Sequence, residues 1–183
     1  MTIVEFWNRQ QFSYLATYSF NRNSNLAALH EAITRVAEEL EQCVASANFT
    51  QQFKAKRQLT ELERQAQAMP CQKRLINARG VIDSTADQMA SIKHESATVI
   101  QFEAIIKTTT SEINYAAGCI PIYRDAFAFY NEQDLLLQVL NVCFECLYME
   151  ADDGTMIEAD VVVYDALRAF FVQLGHPIES VGG

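Results

Sequence analysis

The chain reads as an all-α protein: a long, coiled-coil-like antiparallel helical hairpin with a compact C-terminal helical cluster, together a helical bundle forming one domain over residues 1–183. Three observations predict this. Leu26, Leu29, Ile33, Val36, Leu40 and Cys43 recur at 3–4 spacing; Ile82, Met89, Ile92, Val99, Phe102, Ile106 and Ile113 recur at three, four or seven. Such spacing keeps one narrow stripe of a helix toward a partner, as in a coiled-coil seam. Only six Gly and three Pro interrupt the 183 residues, and Gln, Glu and Ala are plentiful, which favours long helices over a turn-rich β fold. Half the residues are hydrophobic, enough for a buried core.

Thr2-Ile-Val-Glu5 has the form of a capping box, in which the Thr hydroxyl and the Glu carboxylate satisfy each other's backbone N–H groups. The helix it opens sets Val4, Trp7, Tyr14, Leu15 and Tyr18 on one face. Asn21–Asn25 is a polar break, and the first hairpin arm spans about 25–69. Asn48-Phe49-Thr50 is a turn or a local weakening within that arm, so it holds two helices or one bent one. Phe53, Leu59, Leu62, Ala66 and Met69 carry its stripe to Pro70, where the missing N–H ends it. Cys71–Arg79 reads as a helical turn or two closed by Gly80. The second arm covers about 81–115, weakening at Thr108–Ser111.

Apolar helices then fill about 121–174. A short one carries Tyr123, Phe127 and Tyr130. A second, opened by Asn131 and Asp134, is apolar round most of its circumference through Leu147 and should be central. Asp152-Asp153-Gly154 is a turn. Thr155-Met-Ile-Glu158 is a second capping-box pattern, leading to a last helix with Tyr164, Leu167, Phe170, Phe171 and Leu174 that stops at Gly175 and Pro177. Val161–Val163 has strand propensity, but the flanking helix signals outweigh it, and no strand is expected anywhere.

The net charge of −9 is unevenly spread. Residues 54–79 hold seven Lys/Arg against Glu61 and Glu63, whereas residues 132–183 hold ten acids against Arg168 alone. The acidic end argues against nucleic acid as a partner. No basic n-region with an apolar h-region is visible at the N-terminus. The apolar run Leu135–Met149 is shorter than the roughly 20 residues a spanning helix needs, so a membrane is not the favoured partner. Five cysteines at irregular spacing read as reduced thiols, which makes the cytoplasm the expected compartment.

No motif for chemistry withstands its simpler reading. Cys143-Phe-Glu-Cys146 lies inside an apolar segment and lacks two further ligands for zinc. The acids around Gly154 miss two of the four acidic positions of an EF-hand loop. His30, His94 and His176 are far apart, and no di-iron Glu-x-x-His pair, P-loop, dinucleotide fingerprint or nucleophile elbow is present. Ala166–Pro177 is similar to a helix ending of the phycobiliproteins, but Asn131 stands where bilin attachment would need a Cys, so that family's fold and pigment are not carried to this chain.

The expectation is therefore a non-catalytic helical interaction protein (an adaptor, regulator or immunity-type binder), with no catalytic residue, metal or cofactor. Its partner would be another protein or a second copy of itself. The candidate interface is Leu26, Leu29, Ile33, Val36 and Leu40 with Ile92, Val99 and Ile106. Two alternatives compete: a membrane-active helical hairpin, and a sensor holding an apolar small molecule among Phe127, Tyr130, Phe144, Tyr148, Phe170 and Phe171.

Overall fold

The computed structural model describes residues 1–22, 25–46, 48–68, 73–108 and 120–178, with the backbone alone at 25–31 and 65–68. It corrects the all-α, helical-bundle expectation. The chain is a mixed α/β fold built on a six-stranded antiparallel sheet. In chain order the elements are α1 (Ile3–Asn8), β1 (Tyr14–Ser19), α2 (Asn25–Ala45), α3 (Phe49–Ala68), β2 (Asp87–Lys93), α4 (Ala97–Ile106), β3 (Asp125–Tyr130), β4 (Leu136–Cys143), β5 (Tyr148–Ala151), β6 (Met156–Ile157) and α5 (Val161–Gln173). The strands lie in the order β2-β1-β3-β4-β5-β6. Two compact units result: a sheet unit of residues 1–22 and 72–183, and a hairpin unit of residues 23–71 inserted between β1 and β2.

The sheet unit forms because its strands carry different residues on their two faces. Register pairs Leu15 with Phe129 and Thr17 with Phe127, and pairs Ala16 with Ala128 and Tyr18 with Ala126. Period-2 alternation thus sends Phe127 and Phe129 to one side and Ala126 and Ala128 to the other. On the phenylalanine side, α1, α4 and α5 cover the sheet. Phe6, Trp7, Val99, Phe102, Ile106, Leu167, Phe170 and Phe171 join Leu15, Phe127, Phe129, Leu140 and Met149 in one buried cluster. On the alanine side, Tyr18, Phe20, Tyr130, Val139 and Cys143 pack with Leu75 and Tyr123.

The helices that survive from the sequence reading have specific ends. Thr2 closes its capping box with Glu5, but α1 stops at Asn8, so Tyr14, Leu15 and Tyr18 belong to a strand. Helix α5 buries Val163, Tyr164, Leu167, Phe170 and Phe171 at helical spacing, and Gly175 (φ +90°) turns the chain away. Its N-cap is Asp160; Thr155–Glu158 instead contains β6.

Three segments read as helix are strands or loops, and the first, the expected short helix of Tyr123, Phe127 and Tyr130, gives way to β3. The apolar segment 132–149 is β4, a turn and the start of β5; from Val139 to Cys143 β4 is buried on both faces, and such a run shows no polar alternation. Asn131 opens the β3–β4 turn, its Oδ1 accepting from Gln133 N and Leu135 N at 2.9 Å each, and Asp134 sits there at φ +58°. Residues 73–86 form a strap instead of a helical turn. Asp83 N donates to Leu75 O (2.7 Å), an antiparallel bridge joins Ile76 and Ile82, and Gly80 takes φ +73°.

The expected hairpin of 25–69 against 81–115 is not formed. Helix α2 pairs instead with α3, and the second stripe divides between β2 and α4. Asn48 turns the chain: its Oδ1 accepts from Gln51 N (3.2 Å), and Gln52 Nε2 donates to Cys43 O (2.9 Å). In the hairpin unit Val36 and Ala55 are buried, with Ile33, Leu40, Leu59 and Leu62 half-buried.

Candidate functional site

The structure divides the expected interface. Ile33, Val36 and Leu40 lie on the stripe that α2 turns to α3, while Leu26 and Leu29 lie where only the backbone is described. Ile92, Val99 and Ile106 are core residues of the sheet unit, on β2 and α4. The six aromatics of the expected pocket are divided as well. Phe127, Phe144, Phe170 and Phe171 pack under the helices, whereas Tyr130 and Tyr148 belong to the cluster on the opposite face.

The sequence reading missed a polar constellation in the sheet unit. Thr17 lies within β1, Asp125 begins β3, and His176 follows the Gly175 turn. His176 Nδ1 is 2.7 Å from Asp125 Oδ1, and its Nε2 is 2.9 Å from Thr17 Oγ1. Arg22 Nη2 donates to both Asp125 oxygens at 2.6 Å, and its Nε donates to Ser19 Oγ at 2.8 Å. Nδ1 thus faces the Asp125 carboxyl and Nε2 the Thr17 hydroxyl, which can donate or accept according to the ring tautomer.

Carboxylate, imidazole and hydroxyl in this order are the connections that activate a nucleophile. Exposure decides against that role. Thr17 is 0% exposed, the His176 side chain is 0% exposed, and the edge of the Phe171 ring lies against the imidazole. A substrate carbonyl has no approach to the hydroxyl. The cluster instead fastens three parts of the chain, joining the end of α5 and the segment after β1 to the middle of the sheet. His176 is far in sequence from Thr17 and Asp125, so spacing alone carried no sign of it.

A second network holds the strap on the alanine face. Glu150 accepts from the Tyr123 hydroxyl and pairs with Arg74. Asn141 Oδ1 accepts from Leu75 N at 2.8 Å, and Lys73 pairs with Asp83 at 2.7 Å. Burial, then the bond to Glu150, pushes the Tyr123 phenol far above its ordinary 10.0. Burial would raise the Asp83 carboxyl, but hydrogen bonds from Lys73 and Thr85 outweigh it and hold the carboxyl below its usual range.

Cysteine chemistry is excluded at Cys143, a free thiol that is buried and whose pKa burial raises. Cys146 is disulfide-bonded, which corrects the reading of five reduced thiols and removes that support for a cytoplasmic compartment. Its partner lies outside the described residues. Among the described residues no group of three or more His, Cys, Asp or Glu is placed to hold a metal ion, and no helix is long and apolar enough to cross a membrane.

Among the described residues the two most exposed large hydrophobic side chains are at the hairpin tip. Phe49 and Phe53 are 78% and 72% exposed, and Val44 at the end of α2 is 61% exposed. At 3.6 residues per turn the two phenylalanines lie about 80° or more round α3 from Ala55, Leu59 and Leu62. In an antiparallel pair, residues rotated in the same sense from the seam emerge on the same flank. Val44, Phe49 and Phe53 therefore share one. The other flank holds a groove of about 550 Å³ lined by Glu39, Gln42, Cys43, Ser46, Gln51, Lys54, Ala55 and Gln58. Against protein-family models, curated proteins and solved structures, the chain finds no match.

Proposed function

We propose that this chain is a non-catalytic interaction protein whose inserted helical hairpin docks another protein through the apolar flank at its tip. The observation that carries this reading is the pair Phe49 and Phe53, one turn apart on α3 and both largely exposed. Exposed aromatics at i and i+4 are the anchors of a helix that is recognised along one face. An isolated exposed Leu or Val needs no explanation; two adjoining phenylalanines beside Val44 make a contiguous apolar patch. The sheet unit is the scaffold, and its triad-like cluster is sealed from substrate.

A photo-reactive phenylalanine analogue at position 53 tests the reading in the full chain. Illumination in cells is expected to join position 53 to a protein, and Phe49→Ser is expected to abolish the adduct. The same analogue at Val172, 50% exposed on α5, is expected to give none. No protein adduct at position 53, or an adduct with lipid alone, would overturn the proposal.

A further inference from the structure

We infer that the partner of the hairpin tip is the same flank of a second copy of this chain, an inference that rests on the interaction reading above. The flank is self-complementary in charge as well as apolar. On that side α2 carries exposed Glu41 and α3 exposed Lys56, with exposed Glu38 and Arg57 farther round. Among the described residues none of these four is in an ion pair. Opposite signs are thus segregated onto the two helices and left unmatched within the hairpin.

Their heights agree. Glu41 precedes the Asn48 turn by about two helical turns, and Lys56 follows it by about the same. A two-fold axis along the hairpin places Val44 and Glu41 of one copy against Phe49, Phe53 and Lys56 of the other, and the symmetry repeats the contact. The apolar centre supplies the attraction, and the paired charges set register and orientation. A tip-to-root two-fold on the same flank would instead set α2 against α2 and α3 against α3, so that Glu41 and Lys56 never meet. Tip-beside-tip pairing is the arrangement that brings them together.

Light scattering on the full chain, purified and separated by size, is the test. The wild type is expected at twice the 20.7 kDa chain mass. Glu41→Lys and Lys56→Glu each set like charges opposite one another and are expected to run at the single-chain mass. An equal mixture of the two restores both pairs, and its return to the doubled mass supports the inference and shows that each variant is folded. A wild type that stays at the single-chain mass would overturn it. So would a dimer that both reversals leave intact, as one joined along the β2 edge would be, or a mixture that fails to re-pair. Photo-adducts at position 53 with a different protein alone would sink this inference and leave the interaction reading standing; no adduct would sink both.

Discussion

Asp125 is the residue on which the sheet unit's polar cluster turns, because it accepts from Arg22 and faces His176 at once. Asp125→Ala would leave a guanidinium and a buried imidazole without their carboxylate. Breaking a buried charge pair costs about 3–5 kcal/mol, and the Arg22 side chain, 21% exposed, brings the expectation to the lower end. Thr17→Val removes only the hydroxyl that meets Nε2, so about 1–2 kcal/mol is expected. Urea unfolding followed by the emission of Trp7, the one tryptophan, reads both as falls in the midpoint. If Asp125→Ala were as stable as the wild type, the fastening role would be wrong. A triad-like order of groups is a statement about connection; accessibility separates a catalyst from a clasp.

At the scale of elements, the strap and the strands beneath it depend on neutral tyrosines. Burial, then the bond to Glu150 at Tyr123 and the bond to Tyr18 at Tyr130, raises both phenols well above 10.0. Phenols held neutral in this way contribute stability that is complete below pH 10 and declines as the pH rises past it, since the unfolded chain then releases protons the folded one retains. Phenolate absorbance of the native protein just above pH 10 is therefore expected to fall short of its seven tyrosines, and denaturant is expected to recover the deficit. Ionisation of all seven at one ordinary midpoint would contradict the buried placement of Tyr123 and Tyr130. Little of this was visible beforehand. The Phe127/Phe129 and Ala126/Ala128 alternation is a strand signal in plain view, but the tyrosines also fitted a helix face. The turn between β4 and β5 has no Gly, Pro, Asn or Asp to mark it; Leu147 itself takes φ +49°.

Across the whole molecule, the two sheet-unit segments that flank the insertion in sequence are each tied to the sheet. Arg22 binds Asp125, and Leu75 N binds Asn141, whose register partner Ala126 adjoins Asp125. β1 and β2 are neighbours in the sheet, so the insertion leaves and rejoins adjacent strands. Replacing residues 23–72 by a short Gly-Ser linker is therefore expected to leave the sheet folded, with Trp7 emission unchanged and helical dichroism reduced. Loss of the native Trp7 signal would show that the insertion is needed to build the sheet. The same excision is expected to abolish the doubled mass.

Local chemistry alone determined the Thr2 capping box, the last helix with its Gly175 stop, helix α2 and the turn at Asp152–Gly154, because each rests on neighbours within one or two helical turns. It also held the hairpin's turn at Asn48, though not which segments pair. Only the tertiary structure decided that 87–93 and 125–151 are strands, that α2 turns to α3 and not to α4, and that Thr17, Asp125 and His176 meet. In β3 and β4 an apolar run covered on both sides carries no polar alternation to separate strand from helix. For β2, the α2–α3 seam and the three polar residues, the outcome is set by partners distant in sequence.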